Sequence, residues 1–107
     1  MHLVVLRRTV YERYPSIARA LALAFQTAKQ KAYDRLAERL SPTPWTNLDL
    51  EFAKQVMGED IYSYGVKPNL PTLEAASQYS YEQGLTERKL DVNELFAPET
   101  LDLFSAS

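Results

Sequence analysis

HLVVLRR, residues 2–8, is apolar and β-branched, and it is the one good strand signal in the chain. A lone strand leaves its backbone N–H and C=O groups without partners. No second strand pattern follows it. The sequence therefore reads as mainly α with one N-terminal strand, whose sheet must be supplied from outside this stretch of chain.

Everything downstream carries helical signals. TVYERYP (9–15) reads as a short helical turn ending before Pro15. Over residues 15–40, Ile17, Leu21, Ala24, Phe25, Ala28, Ala32, Leu36 and Leu40 recur at three- and four-residue spacing, which predicts one long amphipathic helix. Arg19, Gln26, Lys29, Gln30, Asp34, Arg35 and Glu38 fall largely away from that stripe. SPTPW (41–45) breaks the pattern with two prolines. A helix is predicted over 47–57, with Thr46 and Asp49 at capping-box spacing and Gly58 as its left-handed stop. Pro71 opens a helix over 71–83, with Asn69 as the cap or turn residue before it. Gly84 ends that helix and places Leu85 for an apolar capping contact. DVNE (91–94) is a further capping box, and a last helix is predicted over 92–105. Tyr33, Tyr79 and Tyr81 fall at helical positions and read as packing.

Composition narrows the function. The 107 residues suffice for one domain. A net charge of −2 gives no general attraction to nucleic acid or anionic lipid. The absence of cysteine removes disulfides and thiolate chemistry and fits a cytoplasmic setting. No apolar run approaches the roughly 18 residues of a membrane span. His2 is the single histidine, and the acidic spacing of GEDIYSYG (58–65) does not match a calcium loop, so neither a metal nor a cofactor is expected.

The order of several short motifs resembles the last third of the 4,5-dihydroxyphthalate decarboxylase family. They are MHLVVLRRTVYERYPSIARAL (1–21), AFQTAK (24–29), PW (44–45), MGEDIYSYGVKPN (57–69), TLEAASQYSYEQGL (72–85) and ELFAPETL (94–101). The resemblance runs from Met1 to about Leu103. It implies a two-lobed α/β architecture of the type 2 periplasmic-binding-protein kind, of which this chain would be the helical C-terminal portion. The opening strand would then pair with a sheet in the preceding part. The family pattern aromatic-Trp-Pro-Tyr-Gly is replaced here by Ile61, Tyr62, Ser63, Tyr64 and Gly65. Tyr64, Gly65 and Asn69 keep the pattern; the Trp and the Pro are lost.

The resemblance implies decarboxylation of an aromatic carboxylate, a small molecule bound between two lobes of a larger parent. Such chemistry needs proton delivery to a ring carbon and hydrogen bonds to anionic substituents. On that basis His2, Tyr62, Tyr64 and Asn69 are candidate substrate-binding residues, and no catalytic residue is assigned. Arg7 and Arg8 read as solvated charges rather than a carboxylate clamp. Two other classes stand beside the enzyme: a solute-binding relative that holds a small aromatic anion without changing it, and a helical interaction domain. The isolated chain is expected to form a homo-oligomer through Leu3, Val5, Ile17, Leu21 or Phe25, because the strand and the long helix lack their partners.

Overall fold

Helices and turns account for the regular structure of the computed structural model, which describes residues 2–38 and 45–104. In chain order the elements are α1 (Arg8–Arg13), α2 (Ser16–Glu38), α3 (Thr46–Met57), α4 (Val66–Glu82) and α5 (Val92–Leu95), then a 3₁₀ turn at Pro98–Thr100. The mainly helical character read from the sequence is what the chain adopts. The expected strand over 2–8 is not formed. Residues 2–7 carry no ladder, and Arg8 already opens α1. The reason is the one the sequence raised: a strand needs a neighbour, and no other strand exists among the described residues.

Three other elements differ from expectation. The helix predicted over 71–83 begins at Val66, so Pro71 lies inside α4. Gly65 launches it with φ +99, and the Asn69 side chain donates to the Gly65 carbonyl at 2.9 Å. Asn69 is thus a first-turn residue bonding back to the start of its own helix, not the residue ahead of it. Pro71 has no N–H for the Lys67 carbonyl, a loss confined to the early part of α4. The helix predicted over 92–105 is split by Pro98. Phe96 and Ala97 are extended (ψ 149 and 128), the latter as the residue ahead of a proline prefers. The capping box predicted at Thr46 and Asp49 does not set the start of α3, since Trp45 occupies the cap position without a side-chain cap bond and Thr46 is already helical. Leu40, the SPTPW break up to Pro44 and the end of the last predicted helix at Ser105 lie outside the described residues.

Several caps follow the sequence closely. Leu85 N–H bonds to Ser80 O at 2.8 Å and Gly84 N–H to Tyr81 O at 3.0 Å, the paired bonds of a Schellman motif with Gly84 at φ +72. Leu85 itself stays exposed, so the accompanying apolar contact is not made. Asp91 accepts the Asn93 N–H at 2.9 Å, which is half of a capping box. The other half is redirected, because Glu94 binds Arg88 at 2.7 Å.

The chain divides into two compact units: residues up to Leu23 together with those from Tyr64 on, and Ala24–Ser63. The first unit holds the apolar core. Val66, Leu70, Leu73 and Ser77 recur along one face of α4. Val66 and Leu73 pack with Val92, joined by Leu70, Phe96 and Leu101. Ser77 is buried on the same face and satisfies its hydroxyl by donating to Leu90 O at 2.6 Å. Tyr11 donates to Glu99 at 2.7 Å, tying α1 to the 3₁₀ turn, and Lys67 pairs with Asp102 at 2.7 Å. Tyr79 and Tyr81, expected to pack, are exposed, because the buried face of α4 runs through Leu73 and Ser77 instead. Ile17 and Leu21 are half-buried, whereas Leu3, Val5 and Phe25 are exposed.

Gly58 and Gly65 both require φ in the left-handed half of the map, yet their surroundings differ. A Cβ at Gly58 (φ +88) would meet nothing within 4 Å, whereas one at Gly65 would lie 2.8 Å from the Leu103 carbonyl oxygen and 3.3 Å from Phe104. Gly58→Ala is therefore expected to cost about 1 kcal/mol from backbone strain alone, and Gly65→Ala about 2–3 kcal/mol, since the Leu103 backbone must also move. Urea denaturation of the two variants checks the order; equal losses would contradict it.

Candidate functional site

Gly58 ends α3 by giving its N–H to Lys54 O at 2.8 Å and turning sharply out of the helix. The chain then passes through Glu59, Asp60, Ile61 and Tyr62, and α2 grips this loop with two side chains four residues apart. Lys29 Nζ donates to both carboxylate oxygens of Asp60, at 2.7 Å each, and to the Tyr62 carbonyl at 2.9 Å. Tyr33 OH donates to Asp60 Oδ1 at 3.1 Å and accepts the Tyr62 N–H at 2.9 Å. The Lys29 ammonium also lies 5.8 Å from the centre of the Tyr33 ring. Both main-chain polar groups of Tyr62 are thus taken up by α2.

Burial is unequal across this latch. The Lys29 side chain is 6% exposed and that of Asp60 44%. A buried ammonium is tolerated only when its donors meet acceptors, and here a carboxylate and a carbonyl supply them. Desolvation, followed by the hydrogen bond to Asp60, raises the Tyr33 phenol above its ordinary value of 10.0; the bond from the Tyr62 backbone opposes this. Lys29 was read from the sequence as lying off the apolar stripe of α2. It is instead the most buried charged side chain described, which spacing alone does not reveal because its acceptors lie about thirty residues away.

Beside the latch, Gln26, Gln30, Leu36, Leu50 and Lys54 help to line an open groove of about 350 Å³. Its walls are mixed in charge. Lys54 is held by Glu59 at 3.0 Å, and the Gln26 Oε1 is buried with no hydrogen-bond partner. Among the described residues no group of three His, Cys, Asp or Glu side chains could hold a metal ion. No described helix is long and apolar enough to cross a membrane.

The four residues singled out from the sequence do not form one cluster. His2 is exposed on the N-terminal stretch ahead of α1. Tyr62 belongs to the Ala24–Ser63 unit, with its residue surface 69% exposed. Tyr64 and Asn69 belong to the other unit, at the start of α4, where Asn69 closes on Gly65. Arg7 and Arg8 are exposed, Arg7 as the cap of α1 and Arg8 as its first residue. The residues that organise the loop, Lys29, Tyr33 and Asp60, were not among the four. The signal for them was present in part: a Lys and a Tyr at i and i+4 on one helix, facing the Asp that follows a helix-ending glycine.

The chain is 32% identical to a curated protein, the 4,5-dihydroxyphthalate decarboxylase of Comamonas testosteroni, over 97% of its own length. The matched region is 32% of that protein, so the chain spans about a third of the relative it matches. The two are distantly related. No family profile matches the chain, and no solved structure matches it.

The unequal burial makes the latch asymmetric. Asp60→Ala strands a buried ammonium and is expected to cost about 2–3 kcal/mol, whereas Lys29→Met leaves a half-exposed carboxylate that water can reach and should cost about 1 kcal/mol. Chemical denaturation of the two variants measures the difference, and a larger loss for Lys29→Met would contradict the latch as described.

A second expectation concerns alkaline pH. Between the ordinary tyrosine value and the raised folded value of Tyr33, the unfolded chain has lost its proton while the folded chain keeps it. Stability from this group is therefore full below pH 10 and is lost as pH rises through the folded value. Tyr33→Phe should flatten that part of the stability-versus-pH curve; an unchanged alkaline slope would contradict the assignment.

Proposed function

We propose that this chain is a segment of an aromatic-carboxylate decarboxylase, corresponding to the helical C-terminal part of a 4,5-dihydroxyphthalate decarboxylase-like protein. The observation that carries the reading is the 32% identity to that enzyme along 97% of the chain. Order and spacing of the motifs between Met1 and Leu103 support the same reading. Because the chain covers only 32% of the relative, substrate binding is proposed for the larger polypeptide and not for this segment alone.

The reaction breaks one aryl–carboxylate bond. The electron pair is left on the ring carbon, carbon dioxide departs, and a proton replaces it. The demands on the protein are a hydrogen-bonding environment for the anionic ring substituents and a proton source. Within this segment the loop after α3 is suited to a supporting part. Its backbone is fixed by Lys29 and Tyr33, while the Tyr62 ring is left facing solvent. A phenol so placed can donate to a phenolate or carboxylate on a ligand. Tyr64 and Asn69 at the start of α4, and His2, remain candidates of the same kind.

The test is turnover of 4,5-dihydroxyphthalate, followed by evolved carbon dioxide and formation of protocatechuate. The purified chain alone is expected to give no product above a no-protein control. The Comamonas testosteroni enzyme carrying this chain in place of its matching third is expected to be active. A folded chimera with no turnover would overturn the reading.

A further inference from the structure

α3 has two apolar faces, and only one is packed among the described residues. Thr46, Leu50 and Ala53 are half-buried on the inner face. Roughly a third of a turn away, Trp45, Leu48, Phe52 and Val56 line up at spacings of three, four and four residues. They are 67%, 57%, 67% and 68% exposed. This is a continuous apolar stripe with no charged residue within it, as large as the largest patch a typical monomeric domain exposes, and such patches are often functional.

We infer that this stripe is a self-association surface, on which α3 of a second copy packs antiparallel about a two-fold axis near Phe52. Three features of the stripe fit a second copy. The first is its symmetry about its own centre: Leu48 lies four residues before Phe52 and Val56 four after. In an antiparallel pair Leu48 meets Val56 of the partner subunit, and the two Phe52 rings meet at the axis. This is the self-complementarity that an isologous two-fold contact requires. The second is area. The exposed parts of four such side chains amount to roughly 500 Å² per chain, so a pair removes at most about 1,000 Å² from water, the lower bound for a specific interface. The association is accordingly weak, in the micromolar range or above. The third is electrostatic: antiparallel packing sets the two α3 dipoles in opposition, whereas parallel packing would align like ends. The surface differs from the Leu3, Val5, Ile17, Leu21 and Phe25 set expected from the sequence, of which Ile17 and Leu21 are half-buried by their own chain.

The purified chain is to be examined by sedimentation equilibrium from low micromolar to millimolar concentration. The wild-type mass is expected to rise from monomer toward dimer. Phe52→Glu should hold it at monomer with an unchanged far-UV circular dichroism spectrum. The chain has no cysteine, so single-cysteine variants give an independent measurement that does not rely on disruption. Phe52→Cys is expected to form a disulfide-linked dimer under mild oxidation at least tenfold faster than Glu87→Cys, an exposed position elsewhere. A monomer mass throughout, or equal crosslinking at the two positions, overturns the inference and leaves the stripe to a segment of a longer polypeptide. A dimer that survives Phe52→Glu overturns it as well.

Discussion

The Lys29 ammonium, buried and gripping Asp60 and the Tyr62 carbonyl, is the interaction on which the Ala24–Ser63 unit depends. The apolar core cluster lies elsewhere, since Val66, Leu73 and Val92 all belong to the other unit. A charge taken out of water must recover its solvation from fixed acceptors, and those acceptors must then stay in place. The requirement propagates along the loop. Asp60 is fixed by Lys29 and Tyr33, and Tyr62 is fixed at both main-chain groups. Gly58 is what lets the chain leave α3 in the direction that brings Asp60 back to α2.

The other unit is organised by different means. Its core is small, so short polar ties and close backbone approach carry much of the geometry. Gly65 sits where its Cβ would strike the Leu103 carbonyl, which brings the end of the described chain against the start of α4. Ser77 uses a buried hydroxyl to hold the Leu90 carbonyl, and Lys67 meets Asp102. The last of these is a surface pair and contributes little to stability. The Gly65 approach and the Ser77 bond are the specific ones, because each would leave a steric clash or an unpaired buried group if altered.

Helices were legible in the sequence wherever local rules decide them. The stop at Gly58, the Schellman turn at Gly84 and the cap at Asp91 follow from residue chemistry within a few positions, and each lies where the sequence puts it. The start of α4 was misread because Pro71 is a stronger local signal than Gly65. The deciding fact, the contact with Leu103, is some forty residues distant. The strand over 2–8 is not formed for a related reason: β propensity describes a residue's fit to a sheet, and no sheet is present among the described residues. The latch was hidden by periodicity itself. An apolar stripe argument assigns a lysine to solvent, and only the distant Asp60 reverses that. The second face of α3 was hidden by the same habit, since a helix with two apolar faces reads as a single amphipathic one.

The loop also explains how the chain can depart from the pattern it resembles and still hold its shape. Where the pattern it resembles carries Trp-Pro, this chain has Tyr62-Ser63. A proline restricts a loop by fixing its own φ and the conformation of the residue before it. Without one, the backbone at Tyr62 has more conformations to lose on folding, and side-chain hydrogen bonds must offset that loss. Lys29 and Tyr33 do so at Tyr62, taking its N–H and its carbonyl and leaving its ring outward. Order that a proline would build into the chain is here supplied by a buried charge and a phenol from α2. Tyr62 presents a phenolic hydroxyl at this exposed position. A phenol can both donate and accept a hydrogen bond, where an indole could only donate.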